Sequence, residues 1–505
     1  MLVLDPKWDI EADVVIVGYG SSGAVAALTA AEAGAKVVIL EKQRQGTGVE
    51  VGNHYSTSHM SGGVYLQPTD YDGTITYFRA MSRVESGHGV MTTPEGWSGD
   101  DLIEAYTVEA LHNKEWLDER GFTLEKIGEG AEHNLPGVDT FVSYRFENAG
   151  LGMMRHFEKL ISEQPNITVL YTTPATHLIT NLQGEVVGVR AEQGETNPKP
   201  ISLHARNGVL MAMGGFEFNE EMKLNYLKVY PTYFTGSEAT TGDGFKMVAE
   251  VGAQLWHMNC ASARLVAKFP EYPNAISLWM GGLRPTPYIL VDKYGKRWTN
   301  EKIKGHTVYL ETTLFDSQKL DYPRIPSYWV FDKKRMNSAK LAGAGAGIQG
   351  AMGRYQWSSG NKDELERGWI IEAPTIEALA EQLGMEPSVL AQTVATYNGY
   401  CEQGVDPEFD RDPKDLLPIG EGPFYAIQVW PGGPNTQGGA RHDTQCRILD
   451  MNNNPIPGLY GSGEFGSLFG LLYPSAGGNL SECFAMGRVA GRVLSRPREM
   501  ATASK

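Results

Sequence analysis

Residues Asp13 to Lys42 read DVVIVGYGSSGAVAALTAAEAGAKVVILEK, and this stretch decides the fold. Val14 to Val17 is a short apolar, mostly β-branched run, of the length of a buried strand. Gly18, Gly20 and Gly23 follow at the G-x-G-x-x-G spacing, with Ser21 and Ser22 between them. An Ala-rich segment of helical character comes next, then a second apolar run, Lys36 to Leu40, that ends in Glu41 and Lys42. Gly18 suits the tight strand-to-helix turn, Gly20 lets a pyrophosphate approach the backbone, and Gly23 lets the helix pack close on the strand. The phosphate charge then meets free N–H groups at a helix N-terminus, and Glu41 stands where a carboxylate accepts ribose hydroxyls. Strand, glycines, helix, strand and acid in that order predict a dinucleotide site; the plainer reading is a βαβ unit with tight turns.

The chain around it has 505 residues, enough for a large core and two or more domains. Apolar residues make up 41% and there are 59 glycines, which fits an α/β chain rich in tight turns. A formal charge of −16 argues against nucleic acid and anionic membrane surfaces. No apolar run is long enough to span a bilayer and no signal-peptide pattern opens the chain, so no membrane span and a cytoplasmic location are expected. Cys260, Cys401, Cys446 and Cys483 are scattered, without CxxC or zinc spacing, so no metal is expected.

Outward from the core stretch, Gly46 to Gly63 is a Gly-, Ser-, Thr- and His-rich loop containing His54 and His59 and ending in MSGG, with Ser61, Gly62 and Gly63. It is either a source of donors to a phosphate and ring system or a surface loop. Asp100 to Arg120 reads as one amphipathic helix. Gly150 to Gly215 reads as a helix followed by a β-meander whose hairpin turns at Gly184, with Ala175 near its start. The strand GVLMAMGGF closes it, carrying Ala212, Gly214 and Gly215 to a point of close backbone approach. TTGDG, with Asp243, then turns into a helix. From about Lys268 the texture changes to dense Trp, Tyr, Pro and Met, including Trp279, Tyr288, Tyr328 and Trp329; this suits an apolar ring substrate or, equally, a domain interface. Arg297 reads as a structural hairpin residue paired with Glu301 or a nearby carbonyl. DPEFDRDPKDLLPIGEGP is acidic and Pro-rich, a candidate hinge. Past Phe424 the first texture returns: GLYGSGEFGS with Gly463 and Glu464, then YPSAGGNLSECFAMGR, a Gly-Gly turn at Gly477 and Gly478 opening a long helix. The expected organisation is 1–267 and 429–505 as one cofactor domain, with 268–428 inserted as a cap.

VIVGYGSSG…EK, MSGG, AMGGF, TTGDG, GKRWTNE, GLYGSGE and AGGNLSECFAMGR occur in one order over nearly the whole length, and together they resemble the flavoproteins grouped with fumarate reductase and 3-ketosteroid dehydrogenase. The resemblance implies an α/β (α+β overall) fold: a Rossmann-type FAD domain with a β-meander and an inserted α+β capping domain. It implies FAD held by the glycine motif with Ser21 and Ser22, by Glu41 and Lys42, and by the MSGG loop. It extends those contacts to Ala175, Ala212, Gly214, Gly215 and Asp243, and to Gly463, Glu464, Gly478, Asn479 and Leu480. The Gly-Gly turn is expected to face the flavin edge that gathers negative charge on reduction. The late Gly-rich region offers no obvious tethering His or Cys, so the FAD is expected to be non-covalent.

The carboxylate-reducing members carry cationic or His residues where this chain has Asn435, Ser475 with Ala476, and Gly305 with His306. The steroid dehydrogenases instead show Y-P-x-A-G-G, which here is Tyr473 to Gly478. That match implies that the Tyr473 hydroxyl and the Gly477 N–H polarise a ketone, with Ser475 relaying a proton as in the Δ4-(5α) enzymes. A tyrosine base is implied without a clean alignment; Tyr309 and Tyr328 are candidates, and His306 a third. The expected activity is desaturation of a 3-ketosteroid or similar alicyclic ketone. Rivals are reduction of an unsaturated carboxylate or enone, flavin binding without dehydrogenation, and an oxygen-using oxidase. Electron acceptor, direction, and monomer or homo-oligomer state are open.

Overall fold

The computed structural model describes residues 2–3, 7–46, 56–82, 84–85, 91–92, 99–278, 284–302, 306–342 and 353–498. His54, Trp279 and Gly305 lie outside the described residues. The chain forms two compact units: 1–227, 236–262 and 435–505 make the first, and 228–235 and 263–434 the second.

The first unit is built on a nine-stranded sheet. Its parallel heart is Ile10–Val17 between Val37–Leu40 and the C-terminal half of Lys199–Met211, with Ile167–Leu170 beyond Val37–Leu40. Val14 to Val17 are buried, as a strand covered on both faces requires. Ala175–Thr180 and Val186–Gln193 form the hairpin turning at Gly184 (φ 83°), and Lys199–Met211 extends it antiparallel before crossing into the parallel sheet. The two C-terminal strands of the expected meander are therefore one continuous strand, with a register shift between Ala205 and Gly208. Pro455–Gly461 adds in parallel beside Val209 to Met211.

The helix Ser21–Glu32 is rich in alanine because it is enclosed: ten of its twelve residues are buried. Its other neighbour is the last helix, Gly478–Leu494. A methyl group on Gly491 would come within 2.7 Å of the Ala26 carbonyl oxygen, so the two helices approach at backbone distance.

The single helix expected over Asp100–Arg120 is two, Asp100–Ala110 and Asn113–Glu119. The break turns Asn113 inward, where its amide donates to the carbonyl and hydroxyl oxygens of Ser481 at 3.1 and 3.0 Å.

The second unit carries a seven-stranded sheet with Tyr288–Asp292, Ser327–Asp332 and Phe424–Thr436 as antiparallel neighbours. Alternation sorts its residues. Tyr288, Leu290, Trp329 and Phe331 join one core, and Ile289, Val291, Tyr328 and Val330 join another under the helices Ile376–Leu383 and Pro387–Gln403. The expected hinge at 406–423 is instead anchored. Asp406 and Arg411 are buried, and with Arg297 and Glu301 they form one ion-pair network. A segment held by desolvated charge pairs is a strut, since breaking one pair strands its partner.

Candidate cofactor site

The strand Ile10–Val17 ends at Gly18, whose φ of 104° belongs to glycine; a Cβ there would sit 2.4 Å from the Ala212 oxygen. At Gly23 a Cβ would lie 2.2 Å from the Gly18 carbonyl oxygen, so the helix starts pressed against the turn. Gly20 differs: a Cβ would meet only Ser58 Oγ, at 3.4 Å, leaving its backbone accessible to a ligand. These residues open onto a groove within the first unit.

The groove's walls come from distant parts of the chain. Gly18, Gly20, Ser21 and Ser22 form one side and Glu41 and Lys42 another. Ala175, Ala212, Gly214, Gly215, Asp243 and Glu464 also line it. Glu41 is fixed by two backbone donors, Tyr19 N–H to Oε2 at 3.0 Å and Gln43 N–H to Oε1 at 2.8 Å. Lys42 Nζ bridges Thr241 Oγ1 and Asp243 Oδ2, both at 2.8 Å. Burial alone would raise the Asp243 pKa; the hydrogen bond and charge of Lys42, with the Thr241 hydroxyl, outweigh it and bring the pKa below the usual carboxylate value.

Other candidates stand outside the lining. Ser61 Oγ donates to the Ser58 carbonyl and accepts from Gly63 N–H, closing the short turn after the helix Thr57–Met60. Gly63 is pressed on Ala149, where a Cβ would come within 2.5 Å of its Cα, and Gly62 has open space around it. Gly463 packs against Ser22 and Cys483. Gly478, Asn479 and Leu480 form the first turn of the last helix. Tyr473 folds over that turn: its ring lies where a Gly478 Cβ would meet it at 3.3 Å, and its hydroxyl oxygen accepts Asn479 N–H at 3.0 Å. Gly477 takes φ 92°, and Ser475 accepts Gly478 N–H through its carbonyl at 3.1 Å. Asn479 Oδ1 also accepts from Gln437 Nε2 at 3.2 Å.

In the second unit Tyr309 is buried in the short helix Val308–Glu311. Tyr328 lies in the sheet–helix core, accepting Gln428 Nε2 at 2.9 Å; burial raises its pKa, only partly offset by that bond. Arg264 Nη2 meets His306 Nε2 at 3.0 Å. Arg297 pairs with both oxygens of Glu301 at 2.8 Å, the structural place expected of it.

Sequence reasoning missed several groove residues: Ser56, Thr57, Ser58, Thr173, Pro174 and Cys483. Ser58 Oγ accepts Ser21 N–H at 3.1 Å, so the Ser-rich loop closes on the helix start. Burial pushes the Cys483 thiol up to about 12. Sequence reasoning also missed Glu217, which the motif GGFE carried in plain view.

These residues fit FAD. The groove brings the glycine turn, Glu41 and Glu464 onto one lining, the Gly20 backbone is open, and Glu464 Oε1 is buried without a donor. The glycine turn and the start of the helix Ser21–Glu32 would hold the pyrophosphate, and Glu41 a ribose.

A family model described as an FAD binding domain matches residues 13–480. The chain belongs to this flavoprotein family. Among curated relatives, this FAD-binding flavoprotein is similar to the digoxin reductase of Eggerthella lenta, 27% identical with 97% of this chain and 88% of the relative covered. It is also similar to the 3-oxosteroid 1-dehydrogenase of Mycolicibacterium smegmatis, 30% identical over 65% of this chain and 59% of the relative. In fold, the flavoprotein is similar to the 3-ketosteroid delta1-dehydrogenase of Sterolibacterium denitrificans, with a TM-score of 0.81, 22% identity, and 96% and 99% of the two chains covered. The flavoprotein is thus an FAD-dependent oxidoreductase of the fumarate reductase and steroid dehydrogenase group, with a Rossmann-type FAD domain. No described helix is long and apolar enough to cross a membrane.

Proposed function

We propose that this flavoprotein desaturates a ring ketone, a 3-ketosteroid or similar alicyclic compound, between its α and β carbons. The single observation that carries the reading is the Tyr473 hydroxyl held 3.0 Å from the Asn479 N–H, at the positive end of a 17-residue helix. A phenol that accepts a backbone N–H is a stronger donor through its own O–H. Tyr473 O–H and Gly477 N–H would then hold the substrate's carbonyl oxygen as negative charge develops on it, stabilisation typically worth about 3 kcal/mol per donor. Loss of the α proton to a base and departure of the β hydrogen with its electron pair leave the C=C bond. FAD, when bound, supplies the acceptor for that pair.

Tyr309 is our candidate base. Tyr328 is the weaker choice, because its hydroxyl already serves Gln428 and burial works against its ionisation. Ser475 sits next to the oxyanion donors as a proton relay. The segment 268–428 acts as the substrate cap, FAD is non-covalent, and the protein works in the cytoplasm. The deciding experiment is flavin bleaching by a panel of ketosteroids and cyclohexanones under anaerobic conditions. Bleaching by ketones supports the reading. Its absence, together with turnover of fumarate or urocanate by the chemically reduced protein, overturns it.

A second reading has its own support. The Arg264 guanidinium beside His306 is a ready carboxylate clamp, and it favours reduction of an unsaturated carboxylate or enone. Replacing Arg264 by Leu separates the two: it abolishes carboxylate reduction and spares ketone-driven bleaching.

A further inference from the structure

Two glutamates far apart in sequence meet beside the cofactor groove. Glu217 follows the strand Lys199–Met211 and the Gly214–Gly215 turn and is 1% exposed; Glu464 opens the Gly-rich loop after Pro455–Gly461 and lines the groove. A Cβ built on Gly215 would come within 2.6 Å of Glu464 Oε1 and 3.0 Å of Glu217 Oε1, so glycine is what lets both carboxyls fit there. Both carboxyls thus converge on one point, close enough for their charges to act on each other.

The donors available are few. Thr436 gives Glu217 Oε1 its N–H at 2.7 Å, and its hydroxyl lies 3.3 Å away. The Gly215 amide lies close to Glu464 and lowers its proton affinity somewhat, without reversing the effect of burial. Glu217 Oε2 and Glu464 Oε1 are buried and meet no other donor. Neither carboxyl has an ion-pair partner among the described residues. The Cys483 thiol also acts on Glu464 and is itself held neutral by burial. Glu41 and the Lys42–Asp243 pair line other parts of the groove. Two uncompensated charges so close in a buried place are costly, whereas one proton between them satisfies both orphaned oxygens at once.

We propose that Glu217 and Glu464 share a single proton, and that Glu217, out of reach of the groove itself, is a positioning residue that sets the charge Glu464 presents to FAD. The pair carries one negative charge rather than two beside a ligand that brings its own pyrophosphate charge. Burial raises the affinity of both carboxyls for the proton, most strongly at Glu464, where the charge of Glu217 adds to it. FAD binding therefore favours the protonated pair and weakens as the proton is lost.

The test uses the full-length protein without FAD. Infrared spectra of ¹³C-glutamate-labelled protein at about pH 9, above the titration of the buried Glu482, should hold a protonated-carboxyl band that E217Q and E464Q each remove. FAD titration should give a dissociation constant that rises at high pH, by up to about tenfold per pH unit, in the wild type. In E217Q, where Glu464 no longer faces a second carboxylate and has already lost its proton at high pH, it should stay flat over that range. A wild-type spectrum without that band overturns the proposal whether or not the variants fold. So does a pH slope in E217Q equal to the wild type's. A merely structural role for Glu217 would weaken binding equally at every pH, which also overturns it.

Discussion

Tyr473 Oη accepts the amide N–H of Asn479 at 3.0 Å, so a phenol six residues upstream caps the first turn of the last helix. The contact ties the Y-P-x-A-G-G segment to a helix that otherwise packs as core. It also fixes where the hydroxyl stands, because the ring rests over Gly478 with no Cβ to push it away.

Tyr473→Phe removes the hydroxyl and keeps the ring. We expect kcat on ketone substrates to fall about 100-fold or more, in the range measured for loss of one oxyanion donor. Flavin content and melting temperature should hardly move, since the lost bond is replaced by water or a small shift of the helix turn. Full activity in this variant overturns the proposed mechanism.

Gly18→Ala places a methyl 2.4 Å from the Ala212 oxygen in a backbone region that L-residues avoid. Strain of about 1–3 kcal/mol is expected. It falls on the turn that receives the cofactor, so the purified protein should be largely FAD-free by absorbance and melt earlier.

Glu482 is buried in the last helix, accepting Ser467 Oγ at 2.6 Å and Leu468 N–H at 2.8 Å. Burial raises its pKa from 4.5 to about 7, more than those two bonds lower it. The folded state therefore binds this proton more tightly than the unfolded chain. Its contribution is complete below about pH 4.5 and is lost as pH rises through about 7, at most on the order of 3 kcal/mol. Glu482→Gln should flatten that part of the urea-unfolding profile against pH.

Arg297 holds Glu301 through two bonds of 2.8 Å and Asp406 at 2.7 Å, and Arg411 reaches Glu301 at 3.1 Å. Arg297→Ala leaves carboxylates buried with one cation fewer. Destabilisation of about 3–5 kcal/mol is expected by chemical denaturation, consistent with breaking a buried pair from one side.

Cys483 is the one cysteine lining the groove, and burial keeps its thiol protonated, up to about 12. A thiol so held is a poor nucleophile. Acid precipitation should release all the flavin into the supernatant; flavin retained in the pellet would count against non-covalent binding.

The sequence by itself determined the family and the αβ framework. Strand, glycine turn, helix and acid in Asp13–Lys42 are local: each residue's backbone demand is met by neighbours within one supersecondary unit. The hairpin at Gly184 was legible for the same reason, since turn chemistry acts over a few residues. What only the tertiary structure decided involves partners far apart in sequence. The break at Leu111–His112 exists because Asn113 bonds to Ser481. The acidic stretch after Val405 became a buried strut because Arg297 and Glu301 wait for Asp406 and Arg411. Glu464 stood in the sequence as an expected FAD contact, while nothing there pointed to a role for Glu217. Their shared environment, and with it the need for one proton between them, arises only where folding removes water from both at once.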